Sequence, residues 1–277
     1  MLSLAPLRLT ALALTVALAA CAAGPEEAAG PQLLVQGRGG PVLVLEAGAG
    51  DGPEAWTRLA EELSAHTTVV RYQRNRRLAP QQDSRSGAEL AAQLHQALQD
   101  RGLPPPYVLA GHSLGGPFVL SFARRYPQDV AGLVLVDARP PGFTAACTAA
   151  GSRLCDVPGW ALALSEPWVR AEMRGLPATY AQIGDLASLP AVPAVVIAAT
   201  TAPPLADASF QRVWLEQQRL MAQELPRARL VLAEGSGHYV QKEQPALVRR
   251  ETLAVLAAAR AASAPELSPR LSPRPGR

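Results

Sequence analysis

The chain has 277 residues, 48% of them hydrophobic, and 26 Lys and Arg stand against 23 Asp and Glu, for a formal net charge of +3. That length and apolar content suit a single α/β-sized domain with a substantial core. The small positive excess is concentrated in arginines near the two ends and argues against a nucleic-acid partner; the three Cys and four His are not grouped as ligands and point to no metal and no cofactor.

In chain order, residues 1–20, "MLSLAPLRLTALALTVALAA", carry one arginine, an apolar run and then small residues. This is the pattern of a secretory signal peptide, too short and wrongly flanked for a membrane span. The run closes on "LAAC". Leucine, two small residues and cysteine resemble the bacterial lipoprotein box, so Cys21 is the expected lipidation site. The expected address is the bacterial cell envelope, with the protein anchored to a membrane by its N-terminal lipid. Residues 21–31 then read as the lipidated N-terminus and a tether. The folded domain is expected over residues 32–262, and the Pro-, Ser- and Arg-rich residues 263–277 are expected to be disordered.

Within 32–262, seven apolar runs read as strands: "LLVQG", "PVLVLEAG", "TTVVRY", "PYVLAG", "GLVLVDA", "AVVIAAT" and "ARLVLAEG". They are near-continuous rather than alternating, as in strands buried on both faces. "SRSGAELAAQLHQALQDRG" places Leu90, Leu94, Ala97 and Leu98 on one helix face and stops at Gly102. "GGPFVLSFARRYP" is a helix closed by Pro127, and "FQRVWLEQQRLMAQEL" and "PALVRRETLAVLAAARAA" complete the set. Strand–helix alternation implies an α/β domain with a mostly parallel sheet covered on both sides. "RNRR" at 74–77 reads as a solvated loop. Residues 138–190 hold no clear strand and read as a small cap inserted between two strands, over their carboxyl ends. Trp160 and Trp168 in this cap either line a substrate pocket or pack the core. With Cys21 set aside, Cys147 and Cys155 remain as a pair, which export to an oxidising compartment favours as a disulfide.

The segment with the most chemical content is "LAGHSLGGPFVL", residues 109–120. A G-x-S-x-G pattern between a strand and a helix presents a serine hydroxyl at a sharp turn, so Ser113 is the candidate nucleophile. The following helix directs its first amides at the same point, and the N–H of Leu114 is a candidate oxyanion donor. Serine needs a base. His66 lies in a helix-to-strand connection, His95 inside a helix and His112 in the turn itself. His238 follows the last strand, beside Gly235 and Gly237, and is the candidate base. Two acids compete. Asp137 ends the strand next to the one that carries Ser113, and is preferred. Asp207 follows the later strand "AVVIAAT", where an N-cap role would also explain it.

The blocks "VLVLEAGAGDGPEAW", "PYVLAGHSLGGPFVLSFARRYPQDVAGLVLVDA" and "EGSGHYVQKEQPALV" resemble the α/β-hydrolase superfamily, particularly exported bacterial esterase-like members. The resemblance implies an α/β-hydrolase fold, a mostly parallel, doubly wound sheet with a small cap insertion. It also implies a second oxyanion amide after the strand "PVLVLEAG". There Ala47 replaces the family's usual histidine while Gly48 is retained, and the donor becomes the N–H of Ala49. Tyr72, Gln73 and Arg74 stand where the family has Y-D-R, and the G-x-G-x-S that often follows is replaced by "NRRLAP". The implied activity is that of a serine hydrolase, a carboxylesterase-like enzyme that takes small-molecule esters through an acyl-enzyme. Two alternatives stand beside it: an aminopeptidase or amidase resembling proline iminopeptidase on the same triad, and a non-catalytic lipoprotein that uses the fold as a binding module. Nothing in the sequence indicates an oligomeric state.

The N-terminal motif makes a direct prediction. Cells fed labelled palmitate should incorporate it into the wild-type protein and not into Cys21→Ser; equal labelling of both, or of neither, would remove the lipid anchor.

Overall fold

Seven strands form one sheet in the order β1-β3-β2-β4-β5-β6-β7. They are β1 (Gln32–Gln36), β2 (Val42–Glu46), β3 (Val69–Gln73), β4 (Tyr107–His112), β5 (Val130–Val136), β6 (Ala194–Ala199) and β7 (Ala228–Ala233). The computed structural model describes residues 30–153, 155–204 and 206–263. The expected signal peptide, Cys21, nearly all of the tether and residues 264–277 lie outside the described residues.

Strands β2 to β7 pair in parallel, and all residues of β2, β4 and β6 are buried. This is the reason their sequences are continuously apolar. The first run departs from that expectation. β1 lies at the sheet edge, antiparallel to β3, and its residues are exposed or half-buried. An edge strand has a neighbour on one side only and needs less apolar cover.

The period of two along each strand sorts side chains between two layers. Val42 and Val44 point into a core shared with helices α2 (Gly87–Asp100) and α3 (Gly115–Arg125), whereas Leu43 and Leu45 point into the opposite core, shared with helix α1 (Thr57–Leu63). The expected stripe on α2 is present, with Leu90, Leu94 and Leu98 buried; Ala91 is buried with them, and Ala97 is only half-buried. Helix α1 has no counterpart among the helices expected from sequence, because its seven residues are too few for an apolar period to show.

Four short helices lie between β5 and β6: α4 (Phe143–Ala149), α5 (Gly159–Ala163), α6 (Pro167–Arg174) and α7 (Leu176–Ile183). They form the cap. Beyond β6, α8 (Ala208–Glu224) packs on the same face as α2 and α3, and the short α9 (Val240–Glu243) leads into α10 (Pro245–Ser263) on the opposite face. Among the described residues no helix is long and apolar enough to cross a membrane.

The cap carries the Cys147–Cys155 disulfide. Both cysteines belong to a small satellite core with Phe143 and Trp214, so the bridge ties the loop after α4 back onto that helix, within a cluster that packs on α8. Trp160 and Trp168 divide: Trp160 is 72% exposed and Trp168 is buried. The Cys147→Ala/Cys155→Ala double variant should lose about 2–3 kcal/mol of stability from loop-closure entropy, read as a lower midpoint in urea. A midpoint unchanged from the oxidised wild type would show that the bridge contributes nothing to folding.

Candidate active site

The site lies where the sheet order reverses. The chain leaves β2 toward β3 on one side and returns through α2 to β4 on the other side of β2. Loops after β2 and β4 therefore diverge and leave a crevice at the carboxyl ends of the strands. Ser113 stands in that crevice with φ +53°, in the left-handed region. The turn is possible because α3 starts almost in contact with the strands. A Cβ on Gly111 would lie 2.6 Å from the carbonyl oxygen of Gly115, and one on Gly115 would lie 2.7 Å from those of Glu46 and Ala47. Glycine is required at both places by close approach. The elbow is fastened by the Ser113 amide, which donates to Val136 at 3.2 Å, and by its carbonyl, which accepts from Arg139 at 2.9 Å.

The Ser113 hydroxyl lies 2.9 Å from Nε2 of His238, and Nδ1 of His238 lies 2.6 Å from Oδ2 of Asp137. Asp137 is 2% exposed. Its other oxygen, Oδ1, accepts from the Ala199 amide at 3.0 Å and from the indole N–H of Trp214 at 2.7 Å. These two donors occupy Oδ1 and leave Oδ2 for the imidazole. Asp207 is elsewhere: it N-caps α8, its carboxylate accepting from the Phe210 amide at 2.8 Å. Of the two acids, the fold brings only Asp137 to His238.

Of the other histidines, His66 is exposed in the connection between α1 and β3. Nε2 of His95 contacts Asp129 at 2.7 Å and its ring stacks on Tyr126. His112 is buried, and its Nε2 lies 2.9 Å from the carbonyl of His238, which it supports from below as a donor. Burial, and then the neighbouring His238, depress the pKa of His112 to about 3, so it is neutral at ordinary pH.

Gly48 abuts Ser113: a Cβ there would lie 3.3 Å from Cβ of the serine. Among the described residues, no acceptor in the protein takes the amides of Leu114 or Ala49. The loop is held from behind by Arg74, and here the expectation of a solvated "RNRR" loop is corrected. Arg76 and Arg77 are exposed, but Arg74 is 3% exposed. It donates to Glu46 at 2.6 Å, to the carbonyls of Ala47 and Gly48 at 2.8 Å each, and to the two oxygens of Glu172 at 2.9 and 3.0 Å. The strand period explains the arrangement. Glu46, Tyr72 and Arg74 continue the face that carries Val44 and Val70, and the Tyr72 hydroxyl donates to Glu46. Burial would lower the pKa of Arg74, but Glu172 and Glu46 more than offset it and hold the guanidinium charged. Burial raises that of Glu46 despite Arg74.

Two cavities meet at the site. One of about 200 Å³ is lined by Ser113, His238, Trp214, Phe210 and Val157; the other, of about 430 Å³, is lined by Ala49, Val157, Leu164, Trp168 and Met173. Among the described residues no cluster of His, Cys, Asp or Glu has the form of a metal site.

Three supporting residues escaped the sequence reading: Trp214, His112 and Arg74. For Trp214 a signal existed. Trp214, Gln218 and Met221 form the buried stripe of α8, and a glutamine on such a stripe implies a polar contact; Gln218 donates to the carbonyl of Ala138 at 2.7 Å.

The family model described as "Alpha/beta hydrolase family" matches residues 42–251. A pimeloyl-[acyl-carrier protein] methyl ester esterase of Aromatoleum aromaticum is 35% identical over 103 residues, 36% of this chain and 38% of that protein. Lipase 1 of Psychrobacter immobilis is 30% identical over 105 residues, 36% of this chain and 32% of the lipase. The chain thus spans well under two thirds of the curated relatives it matches. Among solved structures, a thermophilic esterase from Thermogutta terrifontis superposes with a TM-score of 0.63 at 21% identity, covering 83% of this chain and 93% of that one; this likeness is one of fold.

The state of His112 sets an acid limit on stability. Its folded pKa of about 3 lies below the ordinary 6.5, so the unfolded chain binds this proton first. The contribution is complete above pH 6.5 and is lost as the pH falls toward 3, by up to about 1.4 kcal/mol per pH unit. Urea unfolding of His112→Gln should show a shallower acid loss than wild type over that window. Equal slopes would assign the acid loss to other groups.

Proposed function

This chain belongs to the α/β-hydrolase family, and from that membership we propose that it is a serine hydrolase that cleaves small carboxylic esters through an acyl-enzyme. The observation that carries the reading is the hydrogen-bonded series Ser113–His238–Asp137 opening on a cavity beside the Gly48 loop. His238 takes the Ser113 proton on Nε2 as Oγ attacks the ester carbonyl. The negative oxygen is received by the amides of Leu114 and Ala49. Asp137 holds the imidazole by Nδ1–H and stabilises the imidazolium. Collapse breaks the bond to the alcohol, which leaves with the proton from His238. Water then gives its proton to His238, attacks the acyl-serine and releases the acid and the free serine. Each step balances without a metal or a redox partner.

The cavities suit substrates of modest size with one apolar arm. The larger is lined by apolar side chains of the cap, Leu164, Trp168 and Met173 among them. We also propose that the enzyme works at the cell envelope, held by a lipid on Cys21; the motif "LAAC" supports this. A single acyl chain binds membranes marginally, so stable anchoring calls for more than one on the cysteine.

The test is direct. The protein should react with a fluorophosphonate probe at Ser113 and turn over p-nitrophenyl esters faster than aminoacyl-arylamides. Ser113→Ala should abolish both. Asp137→Asn should reduce kcat on the order of 10⁴-fold, as in serine proteases whose histidine loses its orienting acid. Asp207→Asn should leave turnover near normal, with a small loss of thermal stability. No labelling and no turnover of any ester would leave the fold as a binding module; faster arylamide cleavage would make it an amidase.

A further inference from the structure

The guanidinium of Arg74 has five N–H groups, and the five contacts on it link three elements. Nη1 bonds Glu46 at 2.6 Å and the carbonyl of Ala47 at 2.8 Å. Nη2 bonds the carbonyl of Gly48 at 2.8 Å and one oxygen of Glu172 at 3.0 Å, while Nε bonds the other at 2.9 Å. Glu46 ends β2, Arg74 follows β3, and Glu172 belongs to cap helix α6. Glu172 is 0% exposed. The rings of Phe118 on α3 and Trp168 on α6 lie 5.2 and 5.6 Å from the guanidinium carbon.

The consequence follows from peptide geometry. The carbonyl of Gly48 and the N–H of Ala49 belong to one planar unit and point in opposite directions. Anchoring that carbonyl on Arg74 therefore aims the Ala49 N–H away from the guanidinium. The charge acts as well: a cationic donor on the carbonyl polarises the unit and strengthens its N–H as a donor. The carboxylate that grips the Nε edge of the guanidinium, Glu172, comes from the cap, so the orientation of the donor depends on the cap being in place.

We propose that Arg74 is a positioning residue for the Ala49 oxyanion donor, and that Glu172 makes the seating of cap helix α6 a condition of catalysis. The proposal rests on the acyl-transfer reading of Ser113. The carbonyls of Ala47 and Gly48 both rest on this one buried guanidinium, so the loop after β2 is supported from the end of β3.

The experiment uses Arg74→Lys, which keeps the charge and loses the planar fork, and Glu172→Gln, which keeps the shape and loses the charge. Both are assayed with p-nitrophenyl acetate, whose acyl group is too short to probe the cap, and with a trifluoromethyl ketone, whose adduct with Ser113 places an oxyanion in the hole. Circular dichroism and thermal melts establish which variants are folded. Misplacing a donor by about 1 Å costs on the order of 10²-fold. Arg74→Lys should therefore lose kcat on that scale, with KM near wild type and a parallel loss of ketone affinity; Glu172→Gln should show a smaller loss in the same direction. A purely structural role would lower the melting midpoint and leave kcat and ketone affinity of the folded variant unchanged. Folded Arg74→Lys with both values within about twofold of wild type would overturn the proposal, as would a loss confined to KM. If Arg74→Lys does not fold, Glu172→Gln decides by the same two measures. A wild type that neither hydrolyses the acetate nor reacts with fluorophosphonate is a separate outcome, in which the acyl-transfer reading itself has failed.

Discussion

The close seating of helix α3 on the ends of β2, β4 and β5 is the constraint on which the rest of the site depends. A Cβ on Gly116 would lie 2.3 Å from Cβ of Ala138, and Gly111 and Gly115 are equally tight against backbone. With those side chains absent, the chain turns from strand to helix within two residues, and Ser113 takes a left-handed backbone that a non-glycine residue holds only where its surroundings impose it. Asp137, one strand over, is also left-handed at φ +41°, so Ser113 and Asp137 both project from sharp strand ends. The amide of Asp137 donates to Ile197 at 2.7 Å. The cost of these conformations is offset by the parallel sheet beneath, whose strands β4 and β6 are wholly buried.

Around that elbow the protein buries more charge than a core of its size needs. Glu46, Arg74 and Glu172 are all under 4% exposed. Taking such groups out of water carries a large desolvation penalty, repaid only when every donor and acceptor is matched. The matching here is close to complete on the cation, whose five contacts are all within 3.0 Å. A buried cluster of this kind is a weak source of stability and a strong source of specificity, since any displacement of one member leaves a charge unpaired. It fixes the loop after β2 relative to β3 and to the cap.

The acid is supported from a different direction. Trp214 reaches Asp137 from α8, and the same tryptophan packs in the satellite core with Phe143 and the Cys147–Cys155 bridge. The cap therefore bears on the site twice, through Glu172 at the loop after β2 and through α4, which packs on the Trp214 that bonds Asp137. Its helices α5 and α6 also wall the larger cavity, with Leu164 82% exposed at the rim.

Much of this was legible in the sequence, and the division follows the range of the forces involved. Strand and helix identity depend on neighbours a few residues apart, so the seven strands could be read from continuous apolar runs and the four longer helices from local pattern. Ser113 and His238 stand out because their local settings, a glycine-flanked elbow and a late loop after a strand, are written in contiguous residues. Cys147 and Cys155 could be read as a pair once Cys21 was set aside, and they are bridged. The choice between Asp137 and Asp207 could not be read locally: both follow strand ends, and only the lateral order of strands β5, β6 and β7, together with the rotation of each carboxylate, brings one to His238 and turns the other onto its own helix. Arg74 is the clearest case. In sequence it opens a run of arginines that resembles a solvated loop. Its burial is decided by Glu46, 28 residues before it, and Glu172, 98 residues after it, because a charge enters a core only where distant segments bring it compensating partners. The sequence by itself determined the fold class, the elbow and the candidate histidine, all consequences of short-range pattern; the tertiary structure alone decided which carboxylate meets His238 and what holds the loop after β2, because those depend on charges and donors that meet only after the chain has closed.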